Sequence, residues 1–189
     1  MATMIELLRE EHRDIEQMLL VLEEELGNLA GNARPDYQVI QAAIRYFQDY
    51  PDCCHHPKED MVLEKLKKRD PVAAETIGDL HAEHRDESKR LQRVADTIRK
   101  VLAANERPWQ TLDEVVREFI AGEREHMRME ERVLFPAAAA ALHAEDWTEI
   151  ELQWSEEKDS LFNVAIEERC HSLRDRVLKW CRDDAEAQI

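Results

Sequence analysis

Histidines stand in this chain where leucines belong. In the first stretch Ile5, Leu8, Ile15, Leu19, Leu22 and Leu26 recur at the three-and-four spacing of a buried helix face, and the position between Leu8 and Ile15 is His12. The second runs Ile40, Ile44 and Phe47 into His55, Glu59, Val62 and Leu66. The third is Ile77, Leu80, His84, Leu91, Ala95 and Ile98, and the fourth is Leu112, Val115, Phe119, His126, Glu130, Val133 and Ala137. His12, His55, Glu59, His84, His126 and Glu130 are therefore predicted to lie in a core. A buried, unpaired carboxylate shifts its pKa strongly or costs several kcal/mol, and an imidazole nitrogen also needs a partner. Any fold that obeys these stripes must compensate a polar layer.

The layer is duplicated. Leu8, Glu11, His12, Arg13 and Asp14 recur 72 residues later as Leu80, Glu83, His84, Arg85 and Asp86. His55, Glu59, Asp60, Val62 and Leu63 recur 71 residues later as His126, Glu130, Glu131, Val133 and Leu134. One His-x-x-x-Glu pair usually marks a surface ion pair. Two copies in register, each on an apolar stripe and each preceded by a helix with a buried histidine, point to cations instead. Residues four apart share a helix face, so His55 with Glu59, and His126 with Glu130, can chelate one ion or let the glutamate bridge two. Two divalent or trivalent ions give the carboxylates counter-charge and take up the imidazole lone pairs. Mixed nitrogen and oxygen donors suit iron or manganese and accommodate zinc, and no thiolate lies on the stripes.

Composition and punctuation predict an all-α fold. Only 4 Gly and 6 Pro occur in 189 residues, while helix formers abound. Thr3 with Glu6 forms a capping box, and Gly27, Asn28, Gly31 and Asn32 a turn cluster, giving helix 1 from about Met4 to Leu26. Asp36 opens helix 2, which reaches about Lys68 with Pro51 and Pro57 as kinks. Asp70 with Pro71 opens helix 3, fading near Asn105. Thr111 with Glu114 opens helix 4, which holds to about Phe135, where Pro136 bends or ends it. Asp146 with Glu149 starts one or two shorter helices through about Cys181. Long helices on short loops imply an up-down-up-down antiparallel four-helix bundle over residues 1–142, with an additional helical extension over 143–189 packed on it.

Charge narrows the partners. With 26 Lys plus Arg against 42 Asp plus Glu, the net charge of −16 repels phosphate backbones and anionic lipid, so neither nucleic acid nor a membrane surface is expected as a partner. No charged-then-apolar leader and no bilayer-length apolar run is seen. Four cysteines, two of them adjacent as Cys53 and Cys54, do not form a disulfide framework, and a reducing cytoplasm is the simplest compartment.

Together these segments resemble a family. Leu-x-x-Glu-His-Arg at 8–13, Cys-His-His-Pro-Lys-Glu-Asp at 54–60, Ala-Glu-His-Arg at 82–85 and His-x-x-x-Glu-Glu-x-Val-Leu-Phe-Pro at 126–136 resemble the bacterial hemerythrin-like, HHE cation-binding domain, over about residues 4–142. Asp146, Trp147, Leu161 and Phe162 also resemble the family's usual ending. The resemblance implies a non-haem centre of two Fe ions per chain with an oxo or hydroxo bridge. In it Glu59 and Glu130 bridge, and His12, His55, His84 and His126 are terminal ligands. It also shows one departure: oxygen-carrying members have a further histidine one turn from the third-helix ligand, whereas Leu80 and Ser88 stand there. Four histidines and two glutamates resemble the members implicated in repair of damaged iron centres and in nitric oxide or peroxide responses. Fewer protein ligands leave more positions for small molecules.

Other candidates have plainer readings. His56 points about 100° from His55 in a regular helix, toward the surface or behind the ligands. Glu16 follows His12 by four, but its repeat counterpart is Ser88, which places it behind the ligands at most. His81 lies toward the edge of its stripe. Cys53 and Cys54 beside the histidines suggest zinc, but adjacent helical residues cannot converge on one ion. Trp147, Trp154, Phe162 and Trp180 read as packing residues, and His143 and His171 as solvated. Two functions remain: binding of oxygen, nitric oxide or peroxide for sensing, storage or stress response, and a redox enzyme at the same centre, consuming peroxide or nitric oxide or repairing iron centres. No acid, base or nucleophile outside the metal shell stands out, which favours binding over catalysis. The acidic surface and aromatic tail hint at a protein partner or a homo-oligomer. A metal-free helical scaffold is the third reading; it predicts that leucine at 84 and 126 stabilises the fold without changing metal content.

Overall fold

The structure is a computed structural model and describes residues 3–30, 36–103, 109–158 and 161–187. All elements among them are helical. They are α1 (Met4–Ala30), α2 (Tyr37–Tyr50), a π turn (Pro51–His55), α3 (His56–Arg69), α4 (Pro71–Glu75), α5 (Leu80–Ala103), α6 (Trp109–Met129), a second π turn (Glu130–Leu134), α7 (Phe135–Ala141), α8 (Ala144–Lys158) and α9 (Leu161–Ala187). No helix among the described residues is long and apolar enough to cross a membrane.

The predicted starts hold where a short polar side chain meets free backbone N–H groups. The Thr3 amide donates to Glu6 Oε2 at 2.7 Å and the Glu6 amide to Thr3 Oγ1 at 3.3 Å, closing the capping box. Asp36 caps α2 through the amides of Gln38 and Val39, and Asp70 caps α4 through Ala73. Other boundaries differ. α1 continues through Gly27 and Asn28 to Ala30, because a glycine near a helix end costs only about 1 kcal/mol; Gly31 and Asn32 lie outside the described residues. Helix 3 does not run unbroken from Asp70. It halts after Glu75, the chain turns at Gly78 with φ of 82°, and Asp79 caps α5 by accepting from the Ala82 amide at 3.0 Å. Its end near Asn105 is outside the described residues. α6 begins at Trp109, ahead of Thr111. Asp146 sits within the first turn of α8 and accepts from the His143 amide at 2.9 Å, so the helix starts before it.

Two prolines shape the path to the polar layer. Pro57 and Pro136 each lack an N–H, and the chain just before each widens by one residue. The His56 amide donates to the Pro51 carbonyl, and the Phe135 amide to the Glu130 carbonyl. Both π turns carry a residue of a His-x-x-x-Glu pair, so each proline re-aims a polar side chain.

α1 packs against α2 and α6, and α5 against α6 and α2. The buried apolar residues fall into two clusters. One gathers Ile15, Leu19, Leu22, Phe47, Leu91, Val116 and Phe119; the other gathers Leu8, Val62, Leu66, Leu80, Leu134 and Phe135. His12, flanked in sequence by Leu8 of one cluster and Ile15 of the other, marks the level between them. α9 lies along α2 and adds Ile166, Cys170, Leu173 and Val177 to the first cluster, with Arg174 paired to Asp14 and Arg169 to Asp49. α8 packs on α3, adding Ile150 to the second cluster. Trp147 and Trp154 pack against the second cluster and Trp180 against the first; the Phe162 side chain is outside the described residues.

Candidate metal centre

All six residues predicted for the polar layer are buried, Glu59 and Glu130 completely. Nε2 of His55 lies 3.0 Å from Glu59 Oε1, and Nε2 of His126 3.2 Å from Glu130 Oε1, one helical turn apart in each case. Nε2 of His12 is 3.6 Å from Glu59 and 3.3 Å from Glu130, and Nε2 of His84 is 3.5 Å from Glu59 Oε2. Two groups result, each with donor atoms within 4.8 Å of one another: His12, His55, Glu59 and Glu130, and His56, Glu59, His84 and His126. Glu59 belongs to both.

The outward nitrogens explain why the inward ones are free to bind. His55 Nδ1 donates to Glu11 Oε2 at 2.8 Å, His126 Nδ1 to Glu83 at 3.0 Å and His12 Nδ1 to Glu131 at 3.1 Å, while His84 Nδ1 faces Asp60 at 3.9 Å. A carboxylate only accepts, so Nδ1 of His55, His126 and His12 carries the hydrogen and the Nε2 of each presents its lone pair inward. Glu11 and Glu83, and Asp60 and Glu131, are repeat-related pairs. Sequence reasoning missed their role although they travel with the ligands in both copies. Each glutamate beside a first-motif histidine orients the histidine of the neighbouring His-x-x-x-Glu.

The inward atoms have no other use. Nε2 of His12, His55, His84 and His126 and both carboxylate oxygens of Glu59 and Glu130 are buried with no hydrogen-bond partner. Leaving such a set unpaired costs about 1–3 kcal/mol per group, more if charged. The donor set therefore fits cations: neutral imidazoles and paired carboxylates of the kind iron or manganese takes.

The charges of the protein groups fit the same purpose. Burial pulls the Glu59 carboxyl upward, but His55 beside it, with His12 and His84, holds it well below the usual carboxylate range. Glu130 goes the other way, pushed well up by burial and by the neighbouring Glu59 charge. Burial pushes His55 down, yet Glu59 and Glu11 outweigh it and raise it. His126 is lowered, chiefly by burial.

Behind His55 stands an ammonium the sequence did not single out. Lys58, 1% exposed, donates to Glu11 Oε1 at 2.6 Å and to the Cys54 carbonyl, and lies 4.5 Å from the centroid of the Trp154 ring. Although burial opposes it, His55 and Lys58 together keep Glu11 below the usual range. Replacing Glu11 by Gln, which weakens its hold on both, is expected to lower metal affinity about 10–100-fold. Competition with a chelator measures it. An affinity unchanged within twofold would show that Glu11 does not orient His55.

Of the two places expected for His56, the surface is excluded. The side chain is 5% exposed and its ring stacks on His84, centroids 3.7 Å apart and planes 9° from parallel. The π turn ending at His55 breaks the 100° step on which the surface expectation rested. Its ring nitrogens lie 3.3 Å from Asp52 and 3.2 Å from Glu87. Glu87 and Glu123, also missed, are buried beside it. Glu123 is pushed well above the usual range by burial and by the Glu87 charge. His81 is half exposed at the rim, 3.3 Å from Asp60, and with Asp60 and His84 forms a third, outer group that could hold a cation. Glu16 turns to Arg124 at 2.7 Å, away from the layer. Burial pushes the Cys54 thiol up to about 12, which removes it as a thiolate ligand. His143 is exposed, and His171 is partly exposed beside Tyr50.

A buried layer of histidines and carboxylates, with His12, His55 and His126 each held from behind by a glutamate, defines a helical cation-binding protein. The family model for the hemerythrin HHE cation binding domain matches residues 3–138, and the chain belongs to that family. A search of curated proteins and one of solved structures each returned no significant match.

Proposed function

We propose that this chain is a non-haem di-iron protein that binds oxygen, nitric oxide or peroxide in sensing, storage or stress response. The observation carrying this reading is the convergence of unpaired, buried donors in two groups that share Glu59. His12 and His55 would hold one ion and His84 and His126 the other, with Glu59 and Glu130 between them. The bundle is read as up-down-up-down and antiparallel over residues 1–142, with 143–189 as its extension, acting in the cytoplasm. When bound, the iron pair supplies open coordination positions and redox change. The protein's part is to fix the imidazoles through Glu11, Glu83, Glu131 and Asp60, and to exclude water with the apolar clusters on either side.

A redox enzyme at the same centre is the second reading. The buried His56, Glu87 and Glu123 favour it, because polar groups beside a metal position serve proton-requiring chemistry. Metal analysis with an optical spectrum tests the first reading: close to two irons per chain, near-ultraviolet charge-transfer absorption, and stable adducts with oxygen or nitric oxide. One ion per chain, or mostly zinc, would sink it, and rapid turnover of peroxide or nitric oxide would select the second.

A further inference from the structure

His84 is the exception among the four histidines of the layer. Nδ1 of His55, His126 and His12 is held by a glutamate at 2.8, 3.0 and 3.1 Å. Nδ1 of His84 stands 3.9 Å from Asp60 Oδ1, beyond hydrogen-bond reach, and that oxygen is itself buried without a hydrogen-bond partner. His81, one turn earlier on α5 and half exposed, brings its own Nδ1 to 3.3 Å from the same oxygen. One donor atom from each of Asp60, His81 and His84 thus lies within 4.8 Å of the others, in a cleft of about 330 Å³ that opens to solvent.

The equivalent place in the other half is closed to a cation. By the 72-residue repeat His81 corresponds to Arg9 and His84 to His12, and by the 71-residue repeat Asp60 corresponds to Glu131. Glu131 is taken up by His12 Nδ1, and the third donor is replaced by the fixed positive charge of Arg9, which lies 6.0 Å from the centroid of the Phe135 ring. The cleft over His12, about 470 Å³, is lined by Arg13, Arg124, Arg128 and Arg132 against Glu16 and Glu131. Around His84 the lining carries Asp52 and Asp60 against Arg85, which is drawn to Asp79 at 3.9 Å, and His56, which is flanked by Asp52 at 3.3 Å and Glu87 at 3.2 Å. The two duplicated clefts therefore differ in the sign of their charge, and only the one over His84 attracts a positive ion.

We propose that Asp60, His81 and His84 form an outer site at which a divalent cation is captured on its way to the His84 half of the layer. This rests on the reading of the inner donors as a metal centre. Two imidazoles and a carboxylate suit Fe(II) or Zn(II). A neutral imidazole has one lone pair, so His84 serves an outer ion through Nδ1 or an inner one through Nε2, not both. The outer site therefore holds an ion only in transit, while the inner half is empty. On hand-over the cation–nitrogen bond at Nδ1 breaks and one at Nε2 forms; a proton leaves Nε2 for solvent, one is taken up at Nδ1, and no electron moves. Asp60 then accepts from the new Nδ1–H.

The test follows metal uptake by the full chain. Metal-free protein is mixed anaerobically with Fe(II), portions are quenched with a chelator at timed intervals, and the iron retained after gel filtration is counted. Wild type is compared with His81→Ala and, in the other cleft, with Arg132→Ala. His81→Ala is expected to load about tenfold more slowly, the lower end of what an outer partner at a metal site is worth. It should still reach the wild-type iron content, with an affinity in chelator competition unchanged within twofold. Arg132→Ala should load at the wild-type rate. Equal rates in wild type and His81→Ala, with iron retained by both, would overturn the outer site alone, as would equal slowing in Arg132→Ala. Loss of an ion or of affinity in His81→Ala would also overturn it, by making His81 a ligand of the inner centre. Wild type that retains no iron would defeat the reading of the inner layer, and this proposal with it.

Discussion

Glu59→Ala is expected to leave the chain without either ion, taking iron content from two per chain to none and abolishing the charge-transfer absorption. Glu130→Ala should be milder, retaining up to one. Both glutamates are fully buried and each lies between the halves, but they are not equivalent: Glu59 has three of the histidines close by, His55 at 3.0 Å, His12 at 3.6 Å and His84 at 3.5 Å, whereas Glu130 has two, His12 at 3.3 Å and His126 at 3.2 Å. Losing Glu59 would remove an oxygen donor from each ion and the negative charge that offsets their mutual repulsion. Metal-binding free energy is folding free energy, so the emptied variant should also melt at lower temperature than loaded wild type. Retention of two ions by Glu59→Ala would refute the shared-carboxylate arrangement. Leucine at 84 and 126 addresses the metal-free scaffold directly. If that pair stabilised the fold with metal content unchanged, the polar layer would have no cation role.

The second expected result concerns acid. After removal of metal with a chelator, the protein should be more stable near pH 6 than near pH 8, and the loaded protein should show the reverse order. Glu130 and Glu123 hold their protons more tightly folded than unfolded, so their contribution is complete below the ordinary carboxylate range and is lost as pH rises through their raised values. His55 acts in the same sense. So does His56, where burial works downward but Asp52 and Glu87 raise it well above the imidazole range. His126, lowered by burial, opposes them, and Glu11, Glu59 and Glu87, all held low, lose their contribution only in stronger acid. Ions reverse the order because they require Glu130 ionised and His55 with a free Nε2 lone pair, so acid competes with metal. Thermal melts at the two pH values, with and without chelator, read the sign. Parallel trends in the two forms would mean that these groups are not the ones the ions occupy.

The polar layer was legible because burial and polarity conflict: a polar residue at a leucine position of a stripe stands out without any structure, and six such conflicts at repeating offsets locate the residues that converge. The outward carboxylates carried the same repeat signal, but spacing along one helix does not show that Glu11 and Glu83 reach histidines on other helices. The surface alternative for His56 failed for a local reason. Pro57 removes an N–H, the preceding turn widens, and helical-wheel angles cease to apply on the residues that matter. Glu87 and Glu123 were invisible because their partners lie on other helices. Helix starts marked by Thr3, Asp36 and Asp70 were readable, whereas the break at Gly78 was hidden inside an otherwise helical pattern.

The C-terminal helices bear on what counts as a unit here. The family model ends at residue 138, yet Ile166, Cys170, Leu173 and Val177 lie in the same buried cluster as Leu19, Phe47 and Phe119, and the Trp154 ring covers the lysine behind a ligand histidine. The matched stretch and the buried cluster therefore end at different places in the chain. The candidate donors lie inside the matched stretch; their dry surroundings draw also on residues beyond it.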